Sequence, residues 1–124
     1  MDVITKTLNE LMNARRAGKS ECKVSLSSNL LLEVLELMKK EGYVDYRVEK
    51  DKFPRVVISI KKLNECRAIR PRYHFQIESF DKYIRRYLPS RDLGIVIVST
   101  DKGVVNHRDA LSQGVGGVLL AYCY

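Results

Sequence analysis

The residues best suited to chemistry form a short polar segment, Ser99-Thr100-Asp101-Lys102-Gly103. It brings two hydroxyl groups, one carboxylate and one ammonium group together over four consecutive positions. Asp favours tight turns because its side chain can hydrogen-bond the nearby backbone, and Gly tolerates a positive φ. The segment therefore predicts a polar turn whose side chains can both donate and accept hydrogen bonds.

An apolar run immediately before this segment must position it. The run extends from Leu93 to Val98 and is rich in β-branched residues, which is typical of a strand buried on both faces. A buried strand is a rigid support, and recognition sites are commonly built on such supports. After the polar segment, Val104 and Val105 lead to Asn106, which we predict to cap a short helix that ends at Gly114.

A second group of chemically capable residues lies between Arg67 and Arg91, where basic and aromatic side chains are interleaved. This segment has seven basic residues and two acidic ones. The basic residues are Arg67, Arg70, Arg72, Lys82, Arg85, Arg86 and Arg91. Guanidinium groups pair with phosphates and aromatic rings can stack on bases, so the composition favours RNA binding. The alternative is a solvated basic edge with its rings packed in the core, which we favour for Phe80 and Tyr83.

Three more basic residues, Arg15, Arg16 and Lys19, end an amphipathic helix predicted at the start of the chain. Positive charges in a last helical turn interact favourably with the helix dipole, which explains them without any partner. They could equally contact phosphate groups, and the overall charge of the chain favours that interpretation.

The composition limits the classes of protein to which the chain can belong. Its 124 residues, 45% of them hydrophobic, are enough for one modest core or two small ones. The 22 Lys and Arg residues against 15 Asp and Glu give a net charge of +7, which favours a polyanionic partner. Cys22, Cys66 and Cys123 lack the spacing of zinc ligands, and their odd number excludes full disulfide pairing. We expect reduced thiols, no cofactor, no signal peptide and no membrane-spanning segment.

The periodicity predicts a mixed α/β protein of the α+β type with two small lobes, residues 1–64 and 65–124. The first lobe reads α-β-α-β-β, which indicates a helix pair packed on a small sheet. The second lobe reads as mostly β structure with short helices, one of them running from Ser79 to Tyr87. Pro71 indicates that any strand between Cys66 and Gln76 lies at an edge or is bent.

Catalytic arrangements can also be drawn from these residues. The sets are Ser99 or Ser112 with His107 and Asp109 as a hydrolase triad, and Cys66 with His74 as a thiol dyad. Neither set has the flanking signature that positions a nucleophile. The chain also lacks a phosphate-binding loop, and GVGGV lacks the dinucleotide fingerprint. We therefore predict that the chain is not an enzyme and has no small-molecule substrate.

The segment LGIVIVSTDKGVVNHRDALSQGVGG, followed by an apolar strand, resembles the C-terminal signature of the small-subunit ribosomal protein eight family. The resemblance continues in AIRPRYHF and RRYLPSRD, and in the first helix with its NARRAGK end, so it covers nearly the whole chain. The AIRPR and YLPSRD segments are similar to the archaeal and eukaryotic branch of that family.

This resemblance implies a structural constituent of the small ribosomal subunit, located on cytoplasmic ribosomes. The implied partners are the central domain of the small-subunit ribosomal RNA, whose assembly the protein would help, and neighbouring ribosomal proteins, with no membrane partner. In the family, the serine/threonine turn is the principal contact with RNA, which implies that role for Ser99 and Thr100. From the residues alone, capping of their own backbone would be favoured.

The predicted RNA-binding set combines hydroxyl groups, cations and glycines, since glycines lack the Cβ atoms that would hold RNA away. Its members are Ser99, Thr100, Gly103, Gly114, Gly116, Gly117, Arg15, Arg16, Lys19, Arg70, Arg72 and Arg91. Val118 departs from the family, in which many members carry a charged side chain that takes part in the RNA site. The alternative function from another class is a basic module that binds an acidic protein partner.

Overall fold

The computed structural model describes residues 3–25, 29–50, 52–69, 72–89 and 93–124. It has the predicted α+β class, with helices and antiparallel sheets. The chain divides into two compact units, Met1–Cys66 and Arg67–Tyr124.

The helices of the described residues are α1 (Val3–Arg16), α2 (Asn29–Lys40), α3 (Phe80–Tyr87) and α4 (His107–Gln113), with a short 3₁₀ turn at Ile77–Ser79. The strands are β1 (Glu21–Ser25), β2 (Val44–Glu49), β3 (Arg55–Ile60), β4 (Cys66–Ala68), β5 (His74–Phe75), β6 (Ile95–Thr100), β7 (Gly103–Asn106) and β8 (Gly117–Cys123).

The described residues of the first unit form two amphipathic helices and a three-stranded antiparallel sheet in the order β1-β3-β2. Apolar residues of α1 recur at helical spacing and are buried, among them Leu8 and Leu11. In α2, Leu31 and Leu35 are buried in the same way. The central strand β3 contributes Ile58, which pairs with a residue of β1 on one side and of β2 on the other. The order of these elements is the predicted α-β-α-β-β.

The second unit is built on a sheet in the order β4-β8-β6-β7, and β5 also pairs with β8. The segment from Ile95 to Val98 in β6 is fully buried, which confirms the predicted buried strand. Val96 and Val98 pack in a core with Phe80 and Ile84 of α3 and with Ala110 of α4. This packing makes β6 the rigid support of the polar segment that follows it.

The ends of β6 differ from the prediction. The strand begins at Ile95 rather than Leu93, and Leu93 is 48% exposed. The reason is Gly94, whose φ of 93° interrupts the extended backbone and whose missing Cβ leaves room for the carbonyl oxygen of Cys123. At the other end, the strand continues through Thr100 because it pairs there with β7, a strand that the sequence did not indicate.

The short helix α4 forms where it was predicted. The Asn106 side chain accepts a hydrogen bond of 2.9 Å from the N–H of Asp109, so Asn106 caps the helix. Gly114 ends the helix in the left-handed conformation.

Candidate nucleic-acid interface

The polar segment lies at the hairpin that joins β6 to β7. Thr100 pairs with Gly103, so Asp101 and Lys102 are the two residues of the turn itself. Gly103 adopts a φ of 113°, which residues with side chains rarely do. Ser99 and Thr100 are therefore the last two residues of a strand, held by pairing on β7, rather than members of an irregular turn.

The Thr100 hydroxyl group is used within the hairpin. Its Oγ1 donates to the carbonyl oxygen of Gly103 at 2.9 Å and accepts from the N–H of Lys102 at 3.2 Å. A hydroxyl group has one proton to donate and two lone pairs, so one lone pair remains. Thr100 thus closes the turn, and toward a ligand it can accept a hydrogen bond without donating one.

Ser99 lies in a row of four side chains that crosses four strands. It pairs with Val104 of β7 and Val118 of β8, and Val118 pairs with His74 of β5. Directly paired residues of antiparallel strands project from the same face of the sheet, so these four side chains share one face. His74 is exposed, and the other three are half-buried. We call this strip of His74, Val118, Ser99 and Val104 the Ser99 row.

The two hydroxyl groups of the polar segment do not lie on one face. Side chains alternate along a strand, so Thr100 projects from the face opposite Ser99. Among the described residues, the Ser99 side chain makes no hydrogen bond, and its hydroxyl group keeps its donor and both lone pairs. Of the two, Ser99 is the residue free to exchange hydrogen bonds with a ligand.

Two glycines beside this row are needed for packing within the protein. A Cβ on Gly117 would overlap the backbone carbonyl of Ser99, and one on Gly116 would lie 2.6 Å from the carbonyl oxygen of Phe75. The structure therefore gives both glycines an internal role, as they let β8 approach its neighbours. The sequence predicts for both glycines only a role in access for RNA.

The site therefore presents a half-exposed hydroxyl group at the end of a buried strand. Comparison with known proteins gives the family of the chain. The model of the ribosomal protein S8 family matches residues 2–124. The chain belongs to that family.

Full-length relatives carry the same family description. The chain is 39% identical over 128 residues to small ribosomal subunit protein uS8 of Archaeoglobus fulgidus, with 100% of this chain and 98% of the relative covered. It is 38% identical over 126 residues to the uS8 protein of Nanoarchaeum equitans, with 99% and 98% covered. Against the uS8 protein of Desulfurococcus amylolyticus the identity is 36% over 131 residues, with 100% and 98% covered.

Membership of the ribosomal protein S8 family makes the chain a structural, non-enzymatic protein of the cytoplasmic small ribosomal subunit, a ribonucleoprotein that acts in translation. In the described ranges, no helix is long and apolar enough to cross a membrane. Across the same ranges, no group of three or more His, Cys, Asp and Glu residues could hold a metal ion.

The geometry agrees with the non-enzymatic character of the family at the residues that invited a catalytic interpretation. His107 is buried, and its Nδ1 accepts a hydrogen bond of 3.1 Å from the N–H of Val96. Burial, with the positive charge of Arg108, lowers the pKa of His107 to about 4. His107 therefore ties the first turn of α4 to β6, and its Nδ1 is already occupied.

Cys66 is equally unsuited to catalysis. It is 1% exposed, and burial, with the negative charge of Glu65, raises the pKa of its thiol to about 12. A nucleophilic cysteine needs the opposite shift, toward the thiolate. All three cysteines are free, as predicted, and all three are buried.

The predicted cationic residues are placed unevenly. Arg15, Arg16 and Lys19 are exposed at the end of α1 and just after it, and the Nε of Arg15 donates to the carbonyl oxygen of Leu63 at 2.6 Å. Arg72 is exposed two residues before His74 of the Ser99 row. The predictions for Arg70 and Arg91 lie outside the described residues.

The position of His74 in the Ser99 row could not be found by reading the sequence. The sequence shows only that His74 lies in a segment where basic and aromatic residues are interleaved. Its placement depends on the pairing of β5 with β8, which joins residues far apart in the chain.

Proposed function

We propose that this chain binds directly to the central domain of the small-subunit ribosomal RNA and stabilises its shape during assembly of the subunit. In this proposal, neighbouring small-subunit proteins are later partners. The observation that supports it best is the Ser99 hydroxyl group, which has no hydrogen-bond partner among the described residues and is half-exposed directly after the buried residues Ile95 to Val98 of β6.

The geometry of the Ser99 row suits the minor groove of an RNA helix. That groove is wide and shallow in A-form RNA and displays 2′-hydroxyl groups and base edges. A short side chain such as Ser99 can exchange hydrogen bonds there while the end of the β6–β7 hairpin approaches closely. Since β6 is packed on both faces, little conformational entropy remains to be lost at Ser99 when RNA binds.

Thr100 has a more limited part in this proposal. Its hydroxyl group donates its hydrogen bond to the carbonyl oxygen of Gly103, so toward RNA it can only accept a hydrogen bond, for instance from a 2′-hydroxyl group. We therefore assign discrimination chiefly to Ser99, and to Thr100 the shape of the hairpin that presents it.

The exposed cations supply affinity rather than discrimination. Lys and Arg side chains that neutralise phosphates release counterions, which gives binding that weakens steeply as salt is raised. Arg16, Lys19 and Arg72 are exposed and are assigned this role, as are Arg70 and Arg91 from the sequence. Arg15 keeps guanidinium N–H groups beyond the one that binds Leu63.

His74 offers a polar group beside Val118, the position at which many members of the family carry a charged side chain. It is the cross-strand neighbour of Val118 and lies on the same face, and its exposed imidazole can donate and accept. We assign it a supporting contact at the outer end of the Ser99 row.

A titration at several salt concentrations tests the proposal. The full chain is titrated with small-subunit ribosomal RNA and with a scrambled RNA of the same length. We expect a preference of about 10³-fold or more for the ribosomal RNA, with a dissociation constant near the nanomolar range. Equal, steeply salt-dependent binding to both RNAs would contradict it and would leave the basic module with an acidic protein partner as the better hypothesis.

A further inference from the structure

A cluster of tyrosines and cations on and beside α3 takes no part in the Ser99 row. Arg86 is exposed, and its Cζ lies 5.8 Å from the ring centroid of Tyr73 and 5.5 Å from that of Tyr87. Both distances fall within the range of attraction between a cation and an aromatic face. The guanidinium group is thus positioned by two rings that come from different parts of the unit.

The rings that hold Arg86 are themselves fixed by other rings. Tyr87 stacks on Tyr122 of β8 with centroids 5.3 Å apart, and Tyr73 lies 6.1 Å from Tyr83. All four tyrosines are half-buried and pack against the core of the unit. This support preorganises Arg86, because its side chain has fewer conformations to lose when it binds a partner.

The described residues provide no anion for the positioned cation. Among the residues that the structure describes, no carboxylate lies within ion-pairing distance of Arg86. A guanidinium group carries five N–H donors, and Arg86 uses none of them in a hydrogen bond to the described residues, so they are available for an oxyanion. Arg presents these donors as a planar fork, which matches the oxygens of a phosphate group.

We propose that Arg86, held over the rings of Tyr73 and Tyr87, binds a backbone phosphate of RNA. This adds a phosphate contact on the side of the sheet covered by α3, separate from the Ser99 row, and it rests on the proposed function only for the identity of that RNA. A phosphate is favoured over a protein partner because protein interfaces have an apolar core. The large exposed hydrophobic residues of the described ranges are Phe53, Leu93 and Leu111, and none belongs to this cluster.

Arg85 provides a matched control for Arg86. It is the preceding residue on the same helix and is also exposed, and no aromatic ring of the described residues contacts it. Arg85→Gln and Arg86→Gln remove the same charge from almost the same place. Arg86→Lys keeps the charge but loses the planar fork.

The experiment measures binding of the full chain and these three variants to ribosomal and scrambled RNA at several salt concentrations. We expect Arg86→Gln to weaken binding about tenfold and to lower the salt slope by about 1, against about twofold or less for Arg85→Gln. Arg86→Lys should keep the slope and lose about threefold, because the charge remains. Thermal unfolding of each free variant shows that the fold is retained.

The outcome separates this proposal from the proposed function. A phosphate contact carries no sequence information. Arg86→Gln should therefore weaken binding to both RNAs by the same factor, even if the wild type does not prefer ribosomal RNA. Equal effects of the two glutamine variants would reduce Arg86 to a bulk charge and would overturn the proposal. Unchanged binding of Arg86→Gln to both RNAs would also overturn it.

Discussion

The carbonyl oxygen of Ser99 occupies the space that a Cβ at Gly117 would need. The backbone that carries the candidate RNA-contacting hydroxyl group can therefore lie this close to β8 only because residue 117 has no side chain. Gly117 lies between Gly116 and Val118, and Val118 is the direct partner of Ser99. The position of Ser99 and the start of β8 are thus determined together.

Substitution of Gly117 tests this relationship. Gly117→Ala should lower the free energy of unfolding by about 3 kcal/mol, because the new methyl group must displace backbone atoms. Gly103→Ala is the control: its Cβ meets open space and strains only a positive φ, so we expect a loss of about 1 kcal/mol. Urea denaturation of both variants measures the difference, and losses of equal size would show that Gly117 is not closely packed.

Thr100 should contribute to stability through its hydroxyl group. Thr100→Val keeps the shape of the side chain but removes the hydrogen bonds to Gly103 and Lys102, so we expect a loss of about 1–2 kcal/mol. Thr100→Ser keeps the hydroxyl group and should remain within about 0.5 kcal/mol of the wild type. If denaturant unfolding finds Thr100→Val as stable as Thr100→Ser, the hydroxyl group does not close the hairpin.

His107 predicts a pH dependence of stability in the acid range. Its pKa is about 4 in the folded chain, below the ordinary value of about 6.5 that we expect after unfolding. The unfolded chain therefore takes up the proton first, and the stability present above pH ~6.5 is lost as the pH falls toward ~4, at up to ~1.4 kcal/mol per unit.

The measurement compares the wild type with His107→Asn, in which an amide oxygen can replace Nδ1 as acceptor for the N–H of Val96. Urea denaturation at four values between pH 7 and pH 4 gives the two slopes, and carboxyl groups contribute equally to both. We expect the wild type to lose stability more steeply. Parallel slopes would mean that His107 titrates alike in the folded and unfolded chain.

The two cysteines of the first unit should differ in reactivity. Burial raises the pKa of both thiols, to about 12 for the more deeply buried Cys66; at Cys22 the charge of Glu10 adds to the rise and that of Lys19 partly offsets it. Because the thiolate is the reactive form, iodoacetamide at pH 8 should modify Cys22 faster than Cys66 in the native chain. Mass spectrometry of digested samples measures each rate, with urea-unfolded chain as the reference; faster reaction of Cys66 would contradict the burial described here.

Much of the second unit could be predicted from its sequence because the signals are local. The β-branched run gave the buried strand, and Asn106 with Gly114 gave the bounds of α4. The ends of β6 could not be predicted, since one depends on the conformation of Gly94 and the other on pairing with β7.

The candidate site depended on information that is not local. The Ser99 row requires the register of β5, β6, β7 and β8, which includes an irregularity between Ile97 and Val98. The contact of Arg86 with Tyr73 likewise joins two segments that a sequence pattern treats separately. Sequence supplied the residue types and the family resemblance, and the sheet register decided which side chains share a face.

The most direct test of the central claim is RNA binding by Ser99→Ala, with Ser112→Ala as its control. Ser112 is an exposed serine of α4 outside the Ser99 row, so the control removes the same hydroxyl group from the same unit. We expect Ser99→Ala to lose about 1–3 kcal/mol of binding to small-subunit ribosomal RNA with an unchanged salt slope. Ser112→Ala should bind like the wild type. If Ser99→Ala also binds like the wild type, the Ser99 row is not the RNA-contacting surface.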